Sequence, residues 1–470
     1  MTCDAAEKPG KSQFRYQMAV LFAAQALLGL CFAWSILPET HRAAPPVLLT
    51  GSPRGARMLL DSVFLLGLAA GFQLSARFLR GHLMHRQPAV FLLLTLAAAA
   101  ASGVAGSWTL VAITRALTGI AGALSWAAAE RTVRRAVPNR WRWQAMTVVS
   151  LGFSCFFLVA AGLLTLTPSP VLTTAILGSS VVLIMNLMFR DVAVPSADAG
   201  RADIRMSLNT PPDPVPSGSS CGSSVVNGVP TAGCLTTPGG FESCSAADCC
   251  GNTGLTVRRT PMWIGTVLSL AGLLLFFGPL LEVLAAAIRV ADTVPGGASG
   301  GSLIPVGARL WLFGAAVAAG TGIFRSIVHH MGNTLALPLF LLLSFLTMAG
   351  ATIEGEPEAA RVFMAVAGLL AISGSFHGCL AAVTEYFPES PASRPSAECL
   401  TRGCLSASLI LAVSALVLVM AGERTATCRI MGVVLTAIGS GAGIFALRKI
   451  PAPLLVTRFA ERYLRTSGIR

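Results

Sequence analysis

Charge is what this sequence has little of. Only 12% of its 470 residues are Asp, Glu, Lys or Arg, about half the share of an ordinary soluble domain. Hydrophobic residues make up 54% and the mean hydropathy is +0.71. Together these values exclude a soluble enzyme, a disordered chain and a nucleic-acid-binding domain as the main body. Several chemical signatures are also missing. The six histidines form no H-x-x-x-H pair, and the twelve cysteines form no C-x-x-C, so no metal site or disulfide framework is expected. There is no nucleophile elbow and no phosphate-cradling glycine loop, so nothing points to ATP drive or to an enzyme, and no cofactor is expected. A channel's repeated pore loop is missing. No N-x-S/T sequon marks a glycosylated exterior.

What is present is a series of long apolar runs. They cover residues 16–37, 58–79, 89–106, 108–129, 143–166 and 171–189, then 262–287, 306–328, 334–352, 361–384, 403–421 and 427–447. A bilayer core of about 30 Å needs about 20 such residues as helix. The expected fold class is therefore an all-α membrane protein with twelve transmembrane helices in two six-helix bundles. The first run is too long for a signal-peptide core and lacks a small-residue cleavage site, so it reads as a retained helix. The division is a cytoplasmic N-terminus (1–15), an N-terminal bundle (16–190), a linker rich in Pro, Gly and Ser (191–258), a C-terminal bundle (259–450) and a basic tail (451–470).

The excess of basic residues serves topology. With the N-terminus inside, 25 of the 34 Lys and Arg residues fall on the inner side and 8 on the outer, with Arg115 inside a span. Both termini and the linker are then cytoplasmic, in a plasma or bacterial inner membrane. Linker residues Cys221, Cys234, Cys244, Cys249 and Cys250 face a reducing compartment. In the tail, Leu455, Phe459 and Tyr463 repeat at i, i+4, i+8 beside Arg458, Arg462 and Arg465. That pattern suits a short helix on the anionic inner leaflet.

Ionisable residues inside apolar runs are costly and persist mainly in bundle interiors or water-lined cavities. Four qualify as substrate or translocation residues. Arg115 either binds an anionic solute and tunes a nearby carboxylate, or bonds helix carbonyls structurally. Asp61 and Glu282, near the outer ends of the second and seventh runs, are gate or proton-binding carboxylates, or simply reach water. His377 in the tenth run is a proton relay or a neutral hydrogen-bonded histidine.

A weak internal repeat links the halves. Gly119 precedes Glu130 by 11 residues and Gly374 precedes Glu385 by 11, each glutamate leading to a proline and an arginine. Motif by motif, the sequence resembles the major facilitator superfamily of secondary transporters. "RALTGIAGA" in the fourth run, with Arg115, Gly119 and Gly122, is similar to that family's motif B, with Thr118 where glutamine is preferred. "GFQLSARFLRG" is similar to motif A through Gly71, Arg77 and Arg80, although Ala76 stands at its acidic position and Leu79 at a glycine. Glu130 is a candidate replacement partner for those arginines. The Gly-Pro pair of motif C is missing from the fifth run, which weighs against an antiporter and leaves a symporter or facilitator open. The resemblance implies a monomeric carrier of a small organic solute that works by alternating access and is coupled to protons. A multidrug or metabolite efflux antiporter, or a non-transporting scaffold or sensor, remains as an alternative.

Overall fold

The computed structural model of the chain describes residues 11–36, 52–78, 87–136, 148–155, 261–280, 306–331, 333–353, 358–387, 395–422 and 425–450, with isolated residues between 158 and 182 and at 283. The linker at 191–258 with its cysteines, the tail at 451–470, Arg80 and Glu282 lie outside them. By compactness the chain divides into Met1–Val192 with Thr260–Arg470 as one unit and Ala193–Arg259 as another.

The first unit is helical. Its long helices are α1 (Lys11–Ile36), α2 (Pro53–Phe78), α3 (Gln87–Val104), α4 (Trp108–Ala136), α5 (Met262–Leu275), α6 (Val306–Met331), α7 (Asn333–Gly350), α8 (Glu358–Tyr386), α9 (Pro395–Ala421) and α10 (Thr425–Arg448). They coincide with ten of the twelve apolar runs; of the fifth and sixth runs only pieces are described, the longest at 148–155. Among the described residues, seven helical stretches, such as Pro53–Ser75 and Ser396–Ala421, are long and apolar enough to cross a bilayer. Hydrocarbon offers backbone N–H and C=O groups no partners, so a spanning segment must satisfy them within itself, as a helix does.

Helix starts differ from the apolar runs for a local reason. α2 and α9 begin at Pro53 and Pro395, ahead of the runs at 58 and 403. Their N-terminal portions carry Arg54 and Arg57, or Glu398 and Arg402, which lower hydropathy but suit a helix. Proline fits the first helical position because its missing N–H would be unpaired there anyway. Ser52 caps α2 by accepting the Gly55 N–H at 3.2 Å, and Ser107 caps α4 through the Leu110 N–H at 3.2 Å.

The seventh run is not one straight helix. α5 gives way to a π turn at Phe276–Leu280 that contains Pro279. Proline has no N–H to donate and its ring crowds the preceding turn, so the ladder loosens there.

α9 faces outward with Leu405, Leu409, Val413, Leu416 and Met420, an exposed apolar stripe at helical spacing. That surface suits lipid and would be a liability in water. Inside, small residues let helices touch backbone to backbone. A side chain at Gly67 would strike the Ala116 carbonyl of α4, and one at Gly320 of α6 would strike the Leu370 carbonyl of α8. Gly119 packs on the α2 backbone, whereas Gly374 packs on the Phe340 ring of α7 and on Phe324 of α6, so the two glycines of the sequence repeat pack differently. In α10, Gly439 and Gly443 approach neighbours, whereas Gly432 and Gly441 face open space.

The halves meet along α2 and α9, where the Ser408 hydroxyl donates to the Ser62 carbonyl at 2.8 Å. They meet again where residues 148–155 pack against α6 and α8.

Candidate functional site

A cavity of about 40 Å³, open in part to solvent, is walled by both halves. The first half supplies Phe32, Leu68, Phe72, Trp126, Glu130 and Phe153, and the second includes Leu273, Phe276, Phe277, Phe376, Leu380 and Thr384. Helical spacing explains the choice. Leu68 and Phe72, Trp126 and Glu130, and Phe376, Leu380 and Thr384 each recur every four residues and so share a face. The π turn holds both Phe276 and Phe277 at the wall.

Phe153 is the hub of the aromatic wall. Its ring lies 5.8 Å from Phe32, 5.1 Å from Trp126, 5.9 Å from Phe276 and 6.2 Å from Phe376. Phe276 and Phe376 are closer still, at 4.6 Å. These separations suit tilted and edge-to-face pairs, and they tie α1, α4, the π turn after α5 and α8 to one ring.

Behind that wall runs a chain of hydroxyls. Ser154 is hydrogen-bonded to His377 Nε2 at 2.7 Å and to Thr321 Oγ1, and Thr321 is bonded to Ser373 at 2.9 Å. Ser373 donates to the Val317 carbonyl at 2.8 Å. A carbonyl only accepts, so Ser373 donates at this end; the Thr321 hydroxyl also lies 3.5 Å from the same carbonyl, and each hydroxyl–hydroxyl and hydroxyl–imidazole bond of the chain can run either way. Nearby, Arg325 Nη2 donates to Ser150 Oγ at 3.1 Å. Both links join the first half to the second.

A separate ion cluster lies between α2 and α4. Asp61 is wholly buried, with Arg115 Nη1 at 3.4 Å and Arg57 Nε at 3.5 Å. Arg115 is also wholly buried.

The sequence-picked residues thus part company. Asp61 and Arg115 come together, but Asp61 does not reach water: α2 starts at Pro53 and carries it two turns inward. Neither lines the cavity. His377 is buried one residue from the cavity wall. Glu130 lines the cavity, while the side chains of Arg77 and Glu385 lie outside the described residues. Gly71 packs on Ile120 and Ala123 of α4, and Gly122 on the Phe32 ring.

Sequence reading missed the aromatic hub, the hydroxyl chain, Arg57 and Arg325. The two arginines counted as loop charges, one outer and one inner; both are buried within helices. Removing one from each side leaves the inner bias of basic residues in place. "FFGP" in mid-run was the available signal for the break in the seventh span.

No family model and no curated protein matches the sequence. Solved structures do match. A crystal structure of a D-xylose–proton symporter aligns with a TM-score of 0.59 at 12% identity, covering 93% of this chain and 98% of that one. An inward-open conformation of the xylose transporter XylE from E. coli aligns with a TM-score of 0.60 at 12% identity, covering 93% and 96%. At that identity the likeness speaks for the fold alone: this chain shares the fold of these two transporter structures, in line with the fold that its resemblance to the major facilitator superfamily implies.

Proposed function

We propose that this protein is a secondary active transporter that moves a small organic solute by alternating access, coupled to protons. The observation that carries the reading is one cavity walled by residues from both halves of the chain. Rocking such bundles about a fixed site opens it to each side in turn.

His377 is the leading proton site. An imidazole can take up and release a proton, and here it is hydrogen-bonded into a hydroxyl chain that joins the halves. A protonation change at His377 would therefore be felt both at the cavity wall and at the bundle interface. That one structural neighbour is named a proton symporter supports the coupling. Asp61 with Arg115 is the second candidate, because their pairing ties α2 to α4 inside one bundle. Glu282 is proposed as an outer-side carboxylate. Gly71, Gly119 and Gly122 keep the first bundle rigid enough to move as a body, and Arg77, Arg80, Glu130 and Glu385 are proposed to pair at the cytoplasmic ends as the bundles close.

Counterflow in proteoliposomes with a panel of metabolites tests this. The expected result is exchange of at least one solute, with net uptake that follows an imposed pH gradient and loses that dependence in His377→Phe. A folded protein that exchanges no solute would instead favour the scaffold reading.

A further inference from the structure

We infer that the protein holds one phospholipid with an anionic headgroup against the lipid-facing side of α5 and α10, apart from the cavity and whatever the cavity takes. The site starts from the side of α10 that its packing leaves open. Gly439 and Gly443 turn toward Ala271 and Leu275 of α5 and Leu341 of α7. Val434, Ile438, Gly441 and Phe445 recur every three or four residues on another side, and all four are exposed. From Val434 to Phe445 this stripe rises about 16 Å at 1.5 Å per residue, close to half of a hydrocarbon core about 30 Å thick. Arg448 and Lys449, both exposed, follow directly. The stripe thus matches one acyl chain in one leaflet, with two cations at the depth of its headgroup.

Three features set this place apart from an ordinary lipid-facing surface. The first is that two helices build it. Trp263, the second residue of α5, and Phe445 have ring centres 5.9 Å apart, and Lys449 Nζ stands 5.7 Å from the centre of the Phe445 ring. A ring face attracts an ammonium, so the cation is positioned by the ring instead of ranging over the interface. The second is depth. A side chain at Gly441 would meet nothing within 4 Å, which leaves a notch between Ile438 and Phe445 where an acyl chain can lie. The third is charge. Neither α5 nor α10 contains an Asp or Glu, whereas at the start of α9 the exposed Arg402 is paired with Glu398 at 3.6 Å. A phosphodiester complements the α10 end, because guanidinium and ammonium groups make charge-assisted hydrogen bonds to its oxygens. Trp263 adds an indole N–H, a donor that suits the membrane interface. A zwitterionic headgroup brings its own cation beside the phosphate, so the site prefers a headgroup with net negative charge.

The test titrates the purified full chain in detergent with phosphatidylglycerol and phosphatidylcholine of the same acyl chains, and counts retained lipid by native mass spectrometry. Each basic residue near an anionic surface contributes about fivefold in affinity, so phosphatidylglycerol is expected to be preferred by about tenfold or more, with one molecule per chain binding first. Lys449→Gln should weaken it about fivefold, and Lys449→Gln combined with Arg448→Gln should remove the preference. Gly441→Leu fills the notch with both cations intact and is expected to weaken both lipids about threefold. Changing Arg458, Arg462 and Arg465 of the tail to Gln should leave the preference in place, and an excess of inorganic phosphate should not displace the lipid. Melting curves show which variants remain folded, and Phe445→Leu, which removes the ring but keeps apolar bulk, gives a second check on the position of Lys449 by weakening phosphatidylglycerol alone. Equal retention of the two lipids, a preference that the tail variant loses and the Arg448 and Lys449 variant keeps, or unchanged retention in folded Gly441→Leu overturns the proposal. So does displacement by inorganic phosphate, which would make this a site for a free anion.

Discussion

Asp61 shows why a buried charge is read more securely from sequence than its partners are. An aspartate and an arginine inside apolar runs announce themselves, and the structure brings Asp61 and Arg115 within 3.4 Å. Arg57 and Arg325 did not stand out, because each lies near a run's end where a hydropathy reading assigns loop. The hydroxyl chain was illegible for a different reason. Serine and threonine in these helices mostly bond their own backbone, as Thr95 does to Phe91 and Thr347 to Leu343, so nothing in the sequence marks Ser154 or Thr321 as reaching across. Asp61 also yields a residue-scale prediction. Asp61→Asn leaves two buried guanidiniums facing a neutral amide, and removing one member of a buried ion cluster costs about 3–5 kcal/mol. Ser408→Ala deletes one neutral hydrogen bond, a loss of under about 1 kcal/mol in a membrane bundle. Thermal unfolding in detergent should therefore show a marked drop for the first and little change for the second. Equal melting points would mean that the cluster is not what holds α2 to α4.

At the level of elements, most of the architecture was written in the hydropathy pattern, because a spanning helix must be apolar for its whole length. Ten runs correspond to described helices, and the larger differences sit at polar helix ends: the starts of α1, α2 and α9 and the end of α4. What pattern alone leaves open is which glycines bring helices together. Gly67, Gly320, Gly432 and Gly441 look alike in sequence, yet the first two lie against a neighbouring backbone and the others face open space. Their alanine variants should separate accordingly. Gly67→Ala and Gly320→Ala force α2 from α4 and α6 from α8, an overpacking cost of about 1–3 kcal/mol. Gly441→Ala meets nothing and gains helix propensity of up to about 1 kcal/mol. Melting temperatures that fall for the first pair and hold or rise for the third are the expected outcome; a uniform response would break the link between packing and position.

For the whole molecule, the helical, membrane-spanning character was legible and the cavity was not. Its wall draws Phe32, Phe153, Phe276 and Phe376 from four separate stretches of chain, and no local spacing joins residues that far apart. The same remoteness gives the wall its place in the proposed mechanism, since every face of it belongs to a bundle that must move. The hydroxyl chain behind it crosses from residues 148–155 to α6 and α8, and α2 meets α9 through Ser408 and Ser62. If the bundles rock, at least one of these contacts must open in each cycle. Ser154 and Thr321 are hydrogen-bonded side chain to side chain, which places them well for a reversible staple. With the twelve native cysteines replaced, Ser154→Cys paired with Thr321→Cys is expected to form a disulfide on mild oxidation. Counterflow should then stop and return when a reductant is added, while either single cysteine leaves it running. Undiminished exchange by the fully cross-linked protein would show that this interface stays closed throughout, and the moving contact would then be the one between α2 and α9.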